Sequence, residues 1–343
     1  MAHRIAVIGA PSLIGRETLR CLAETSLSGA EMVALAAGRA TGAELSWGEK
    51  AVLKTRDVAR FDFAGTDIAI FACDAKLAAV EVPRAAAAGA MAIDLSGHFH
   101  MEADVPLVVA GVNDQALARA TKRRIIACPL PASLILAMAL KPLHEAAGVR
   151  RVVAATYQPA SGVGKEGMDE LWSQTRGIFV NDNPEAQYFT KQIAFNVIPH
   201  IDRFMPDGAT REEWALGVEI RKLLNPDIQV AASCVRVPVM LGLGMALNIA
   251  FDRPITERDA RDVLRKAPGL SLLDRRDDGG YASPAEIVGE DMVYVSRIRR
   301  DATLPQGLSL WAVGDDVRLG AALNAARIAE AVARGEANSE KIP

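Results

Sequence analysis

A short loop near the amino terminus has the residue types and spacing of a site for a dinucleotide phosphate. An apolar strand pattern precedes this loop and a helical pattern follows it, and its residues are Gly9, Ala10, Pro11, Ser12, Leu13, Ile14 and Gly15. In such a turn, backbone N–H groups and the positive end of the helix face the pyrophosphate. Ser12 stands where a third glycine would be usual. The loop still predicts a dinucleotide-binding domain, with residues 9–15 against the phosphates.

The chain after the second predicted strand indicates which nucleotide would bind. NAD sites usually carry an acidic residue there, which binds the ribose hydroxyls. This chain has Gly38 and Arg39 instead. Because a guanidinium group binds phosphate well, Arg39 favours NADP. The alternative is that Arg39 is a solvated surface residue.

Thiols and imidazoles are the other candidate reactive groups. Cys128 follows a predicted strand and is a candidate nucleophile, although a buried cysteine at a strand end is usually inert. His98 and His100 could form a metal-binding pair, but no third ligand has suitable spacing, so no metal is expected. The four cysteines are scattered without a Cys-x-x-Cys pair, which favours reduced thiols and a cytoplasmic protein.

Alternating strands and helices would position the phosphate loop. A helix pattern covers residues 14–24, and apolar strand patterns recur at residues 4–9, 32–37, 67–72, 91–95, 106–110 and 124–127. Strands that alternate with helices are typical of a parallel sheet. The first part of the chain is therefore predicted to be an α/β domain with a Rossmann-like fold.

The pattern changes from about Ser133, where a second domain is expected. Thr210 and Thr256 have the form of helix-capping residues. The remaining predictions are a helix at 133–145, a glycine-punctuated loop and helix at 161–172, and strands at 150–158, 228–239, 245–251, 292–300 and 308–313. Such strands favour an antiparallel or mixed sheet. We expect domains at 1–132 and 133–318, with a helical segment from residue 316 onward whose residues 319–343 pack on the first domain.

Charge and hydropathy exclude two classes of partner. The formal net charge is −3, which gives no basic surface for nucleic acid or an anionic membrane. No apolar run approaches the roughly 18 residues that a membrane helix needs. A small-molecule ligand is the expected partner.

Several longer segments resemble the aspartate-semialdehyde dehydrogenases, including their paralogues that lack the catalytic cysteine. The resemblance extends over nearly the whole chain and is carried by residues 156–164 (TYQPASGVG), 196–202 (NVIPHID), 233–239 (SCVRVPV), 295–301 (VSRIRRD) and 319–324 (LGAALN). It implies a homodimer with an NADP-binding domain and a role in amino-acid biosynthesis. In the family's reaction, a cysteine thiolate attacks the carbonyl, NADPH exchanges hydride, and a histidine handles the protons.

The two reactive positions of that family hold inert residues in this chain. By the resemblance, the cysteine position is Pro131 and the histidine position is Leu243. Proline cannot attack a carbonyl or donate an N–H to an oxyanion, although it suits the first turn of a helix. Leucine does not titrate. Cys128 is the nearest thiol that could act as a relocated nucleophile.

The family's substrate positions are also altered. Its phosphate-binding arginine corresponds to His100, and a histidine is a poor permanent clamp for phosphate. Its lysine corresponds to Ala215, which follows the substrate-binding candidate Glu213. Gln158 and Arg236 remain at matching positions.

Cofactor positions are retained in part. A glycine pair of the family corresponds to Asp74 and Ala75, which follow Cys73, and this change places a carboxylate where a pyrophosphate would approach. Arg39 and Asn324 remain. The resemblance therefore leaves NADP as the expected cofactor.

Two functions follow. The first is a family member with a degenerate active site and no aspartate-semialdehyde activity, which binds NADP or a metabolite or assembles with a true dehydrogenase paralogue. The second is an NADP-dependent dehydrogenase or reductase that acts on a different aldehyde or acyl substrate, with Gln158 and Arg236 orienting the carbonyl.

Overall fold

A computed structural model describes residues 3–49, 51–182 and 185–338. The chain divides into two compact units. Unit 1 is Met1–Leu130 with Ala321–Pro343, and unit 2 is Pro131–Gly320. The expected division lay two residues later at the first crossing and two residues earlier at the second, and the first crossing falls at Pro131 because a helix begins there. In the part of the chain that the structure describes, no helix is long and apolar enough to cross a membrane.

Unit 1 is built on a six-stranded parallel sheet of order β5-β2-β1-β6-β7-β8. Its strands are β1 (Arg4–Ile8), β2 (Glu31–Ala36), β5 (Arg56–Asp57), β6 (Ile68–Phe71), β7 (Met91–Asp94) and β8 (Ile125–Ala127). A separate hairpin joins β3 (Glu44–Trp47) and β4 (Ala51–Lys54). Nearly continuous runs of buried aliphatic residues in β1 and β6 are typical of central parallel strands. The Rossmann-like fold is confirmed.

The helices of unit 1 are α1 (Leu13–Ala23), α2 (Ala75–Ala87) and, near the carboxyl end, α7 (Asn324–Ala333). The Glu330 carboxylate of α7 accepts hydrogen bonds from the backbone N–H and hydroxyl of Ser26 at 2.9 and 2.6 Å. The helix predicted from residue 316 is interrupted, because Arg318–Leu323 forms a π-helical turn before α7.

One predicted strand of unit 1 is wrong. Residues 106–110 make only a single bridge, between Leu107 and Ala127. The segment then turns, and the Asn324 side chain bonds to its backbone, donating to Val108 O at 3.1 Å and accepting from Ala110 N at 2.9 Å. These side-chain bonds replace the backbone bonds that a longer strand would make.

Unit 2 contains a mixed six-stranded sheet of order β10-β9-β11-β14-β13-β12. Its strands are β9 (Val149–Gln158), β10 (Gln229–Arg236), β11 (Leu243–Phe251), β12 (Leu270–Leu272), β13 (Val293–Arg300) and β14 (Gly307–Gly314). β10 runs parallel to β9 and β12 runs parallel to β13, whereas the other pairs are antiparallel. The mixed sheet is confirmed.

In the described part of unit 2, the α-helices are α3 (Pro131–Ala147), α4 (Lys165–Val180), α5 (Arg211–Leu223) and α6 (Glu257–Lys266). Both predicted capping boxes are present, at Thr210 before α5 and at Thr256 before α6. In each, the threonine hydroxyl accepts a hydrogen bond from the third helical N–H while an acidic side chain bonds to the threonine N–H. Residues 132–140 of α3 are all buried, because apolar residues cover all sides of this part of the helix.

Candidate active site

The loop after β1 requires a glycine at position 9. Gly9 has a φ of 75°, and a Cβ at this position would lie 2.2 Å from the Ala72 carbonyl oxygen. Any side chain would therefore separate the carboxyl ends of the adjacent strands β1 and β6. The chain leaves these two strands in opposite directions across the sheet, and this arrangement is where doubly wound folds bind their nucleotides.

Ser12 acts within this loop as the cap of α1. Its hydroxyl accepts from Gly15 N at 3.0 Å and donates to Ala72 O at 3.1 Å. The N–H groups of Leu13 and Ile14 are in the first helical turn, where no intrahelical acceptor exists. These two N–H groups, with Pro11 beside them, are the part of residues 9–15 that could face a phosphate.

Arg39 and Asp74 lie on short turns after β2 and β6. Arg39 is exposed in a single 3₁₀ turn, Gly38–Ala40, directly after β2. Asp74 was expected to approach the pyrophosphate, but its carboxylate is engaged as the cap of α2, accepting from Lys76 N at 2.9 Å and Leu77 N at 3.1 Å. The amino terminus of α2 is therefore already neutralised by its own side chain.

Two thiols of unit 1 lie near the carboxylate of Asp94. Burial, with Asp94 and Asp74 adding to it, raises the pKa of the Cys73 thiol to about 12. Burial and Asp94 also raise the pKa of the Cys128 thiol above its ordinary value, although a hydrogen bond with Asn324 opposes this shift. Thiolates are the nucleophilic form, so neither environment activates its cysteine.

His100 and Asn324 are both buried in unit 1. His100 lies in the loop after β7, whose start is held by Asp94 through bonds from Ser96 N at 2.9 Å and Phe99 N at 3.3 Å. The side-chain amide of Asn324, a predicted cofactor contact, bonds to the backbone of Val108 and Ala110 and also to the Cys128 thiol. Across the described residues, no three His, Cys, Asp or Glu side chains are grouped to hold a metal ion.

In unit 2, Pro131 is the first residue of α3. Gly320 packs against it, because a Cβ on Gly320 would lie 2.8 Å from Pro131 Cβ. Leu243 begins β11, is 2 % exposed, and pairs with Gly314 of β14. Neither side chain has an ionisable group.

Gln158 and Arg236 are brought together at the end of the sheet where β11 begins with Leu243. They are register partners at the carboxyl ends of β9 and β10, and both are buried. Arg236 donates to Pro159 O at 2.7 Å, and burial lowers the pKa of its guanidinium, against the effect of Glu212 and Asp316. Three predicted site residues, Gln158, Arg236 and Leu243, therefore lie at the same end of the strands of this sheet.

The two glutamates at the start of α5 face different ways. Glu213, the predicted substrate ligand, completes the capping box by accepting from Thr210 N at 2.8 Å, and it also accepts from Cys234 N at 3.1 Å. Glu212 instead accepts from Gln158 Nε2 at 2.9 Å. Burial raises the pKa of Glu212, while the hydrogen bond from Gln158 opposes this rise. Glu212, rather than Glu213, therefore joins the polar cluster.

Sequence reasoning missed Glu212, Ser161 and Asp316. The Ser161 hydroxyl donates to Asp316 Oδ2 at 2.5 Å, and Gly242 N donates to Asp316 Oδ1 at 2.8 Å. Ser161 is within the quoted 156–164 segment, and Glu212 precedes Glu213, so both were adjacent to residues already singled out. Nothing in the sequence indicated Asp316, which stood at the start of an expected helix.

These features define an α/β protein with a dinucleotide-binding unit and a second unit based on a mixed sheet. Residues 4–120 match the family described as semialdehyde dehydrogenase, NAD binding domain, and residues 140–319 match semialdehyde dehydrogenase, dimerisation domain. The chain belongs to the aspartate-semialdehyde dehydrogenase family.

Its relatives cover almost its full length. Aspartate-semialdehyde dehydrogenases of Rickettsia bellii and Aquifex aeolicus are each 38% identical over 96% of this chain, and over 97% and 98% of their own lengths. The crystal structure of aspartate semialdehyde dehydrogenase II from Vibrio cholerae, complexed with ASA, superposes with a TM-score of 0.94 at 37% identity, covering 97% of this chain and 99% of that one. A probable aspartate-semialdehyde dehydrogenase from Pseudomonas aeruginosa gives a TM-score of 0.91 at 28% identity, covering 97% of this chain and 99% of that one.

Proposed function

We propose that this protein is an NADP-binding family member that does not carry out the phosphate-dependent oxidation of aspartate semialdehyde. The observation that carries this proposal is the pair of residues at the two reactive positions. Pro131 begins α3 without a nucleophilic atom, and Leu243 is buried without a titratable one. Loss of one such group in a well-studied hydrolase lowers turnover by on the order of 10⁶-fold, and such losses overlap rather than add.

The surroundings of Cys128 support this proposal. A relocated nucleophile would need a lowered pKa, whereas burial and Asp94 raise the pKa of Cys128. His100 at the phosphate position and Ala215 at the lysine position further weaken binding of an anionic substrate.

The decisive assay is phosphate-dependent NADP reduction with aspartate semialdehyde. It compares the natural protein with Cys128→Ser, and we expect no turnover in either. Robust turnover that Cys128→Ser abolishes would make Cys128 a relocated nucleophile and refute the proposal. Turnover that survives in Cys128→Ser would refute it as well, because another group would then carry the reaction.

NADP binding is supported by the shape and charge of unit 1. Gly9 permits close approach of a ligand to the backbone, the first turn of α1 has N–H groups without an intrahelical acceptor, and Arg39 supplies a positive charge after β2. These residues fit the pyrophosphate and the 2′-phosphate. NADP would supply hydride transfer when bound.

We further propose a homodimer formed by the open face of the unit 2 sheet. This face carries a shallow concavity of about 520 Å³ whose lining includes Ala155, Ala246 and Trp311. Small and aromatic side chains on a flat sheet can pack closely against a second copy. A cytoplasmic location, and assembly with a true dehydrogenase, stay predictions from the sequence; recovery of such an enzyme with the tagged protein would support the latter.

A second candidate function is reduction of a different aldehyde or acyl compound by direct hydride transfer. The intact polar cluster of Gln158, Glu212 and Arg236 favours it, because these groups could still bind and orient a carbonyl. NADPH oxidation with unphosphorylated aldehydes tests this function.

A further inference from the structure

The buried Asp316 carboxyl lies in the turn after β14 and is only 6% exposed. Its two oxygens have different partners, since Oδ2 accepts the Ser161 hydroxyl at 2.5 Å and Oδ1 accepts Gly242 N at 2.8 Å. A carboxyl and a hydroxyl at this separation can exchange a proton directly. Neither group is used by any step described so far.

The turn that contains Asp316 is adjacent to Pro131 and Leu243, the two positions at which the reactive side chains of the family are absent. Gly242, which bonds to Asp316, directly precedes Leu243, and Leu243 pairs with Gly314 two residues before Asp316. At the other end of the turn, Gly320 packs on Pro131. Asp316 is therefore a titratable group beside the position that a histidine would occupy.

The charges around Asp316 leave it able to titrate near neutral pH. Burial raises its pKa to about 6, with the neighbouring Asp315 acting in the same direction and the bonds from Ser161 and Gly242 opposing it. Arg236 is the positive group that faces it. The oxygens of the neighbouring Asp315 accept backbone N–H bonds from Val317, Arg318 and Gly289.

We propose that Ser161 and Asp316 form the pair that holds and transfers the proton in carbonyl reduction. They would replace the imidazole of the family's histidine, whose position is occupied by Leu243. This proposal rests on the second candidate function. NADPH, when bound, would supply the hydride to the carbonyl carbon. The Ser161 Oγ proton passes to the carbonyl oxygen, the Asp316 proton replaces it on Oγ, and solvent reprotonates Asp316. An aldehyde, NADPH and one proton would thus give an alcohol and NADP.

The test combines kinetics with a measurement that does not depend on turnover. NADPH oxidation is followed with a panel of unphosphorylated short-chain aldehydes between about pH 5 and 9, for the natural protein, Asp316→Asn and Ser161→Ala. The matched control is Asp259→Asn, which removes another hydroxyl–carboxylate bond, from Thr256 Oγ1 at 2.6 Å, in α6. Carboxyl ¹³C NMR, with Asp316 assigned by its loss in Asp316→Asn, reports its pKa directly.

Because the protonated carboxyl is the reactive form, kcat for reduction should fall as the pH rises above about 6 in the natural protein and the control. In Asp316→Asn, kcat should no longer show this pH dependence. It should also be lower by on the order of 10²-fold, with KM little changed. Ser161→Ala should lower kcat and raise the pKa of Asp316, because a hydrogen bond that favours the carboxylate is removed.

Three results would overturn the proposal. Turnover with an unchanged pH profile in Asp316→Asn would exclude it while leaving the reductase function intact. An Asp316 carboxyl that titrates near the ordinary value, about pH 4, would exclude the proton-transfer role and leave the reductase function intact. Absence of NADPH oxidation by the natural protein with every aldehyde would remove the reductase function, and the proton-transfer role with it.

Discussion

Gly320 and Pro131 pack so closely that a Cβ on the glycine would lie 2.8 Å from the proline Cβ and 3.2 Å from its Cα. The first residue of α3 is thereby fixed against the turn that follows β14. Pro131 retains the conformation that the start of a helix requires, while the atoms for nucleophilic chemistry are absent.

Replacement of Pro131 by cysteine should create a reactive thiol. The amino-terminal end of α3 would stabilise the thiolate, whereas burial holds the pKa of Cys73 near 12 and raises that of Cys128. We expect Pro131→Cys to react with iodoacetamide at neutral pH at least about tenfold faster than any native thiol. Mass spectrometry of the alkylated peptides, with the natural protein as control, measures this. Equal labelling of the two proteins would show that this helix start no longer activates a thiol.

Arg39 should determine the choice of nucleotide. We expect NADP to bind more tightly than NAD, and Arg39→Ala to weaken NADP binding by roughly tenfold, because one charge-assisted contact to the 2′-phosphate is lost. NAD binding should not change. Calorimetry on Arg39→Ala is compared with Arg20→Ala, an exposed arginine near the far end of α1. Equal affinities for the two nucleotides would show that Arg39 does not contact the 2′-phosphate.

The open sheet face of unit 2 should form a dimer. Ala246 is exposed on β11 at the centre of this face, so Ala246→Arg would bury an unpaired charge in the interface and produce monomers. Val80→Arg adds the same charge at a site 64% exposed on α2 and should leave the dimer intact. Sedimentation equilibrium distinguishes these cases. A natural protein that is monomeric at micromolar concentration contradicts the prediction.

Asp316 should reduce stability at neutral pH. Its folded-state pKa of about 6 lies above the unfolded value, so the folded state holds the proton more tightly and stability decreases as the pH rises from about 4 to 6. The free energy of unfolding of Asp316→Asn minus that of the natural protein should therefore be larger at pH 8 than at pH 4, by up to about 3 kcal/mol. The substitution is thus more stabilising at the higher pH.

Urea unfolding at both pH values provides the measurement. Asp259→Asn gives the opposite sign, because hydrogen bonds from Thr256 lower the pKa of Asp259 and its contribution to stability is present at high pH and lost in acid. If the stability difference for Asp316→Asn does not depend on pH, the Asp316 carboxyl has an ordinary pKa in the folded protein.

The sequence alone determined the features that depend on neighbouring residues. The buried run in β1, the turn at Gly9 and the capping boxes at Thr210 and Thr256 are local, because their hydrogen bonds and apolar periods span a few residues. The same holds for the residue types at Pro131 and Leu243, which the resemblance identified. Residues 106–110 had an apolar strand composition, but a strand also needs a partner along its length, and in the described structure this segment makes only the bridge between Leu107 and Ala127.

The tertiary structure decided which side chains meet. Ser161 and Asp316 are 155 residues apart, and Gln158 and Glu212 are 54 apart, so no local pattern could indicate either pair. Glu212 and Glu213 are adjacent and have the same side chain. Glu213 completes the capping box of α5, whereas Glu212 accepts a hydrogen bond from Gln158. The pKa of Asp316 likewise depends on burial and on Arg236, which only the packed β9–β14 sheet and its turns bring into place, whereas Asp315 is its neighbour in the sequence.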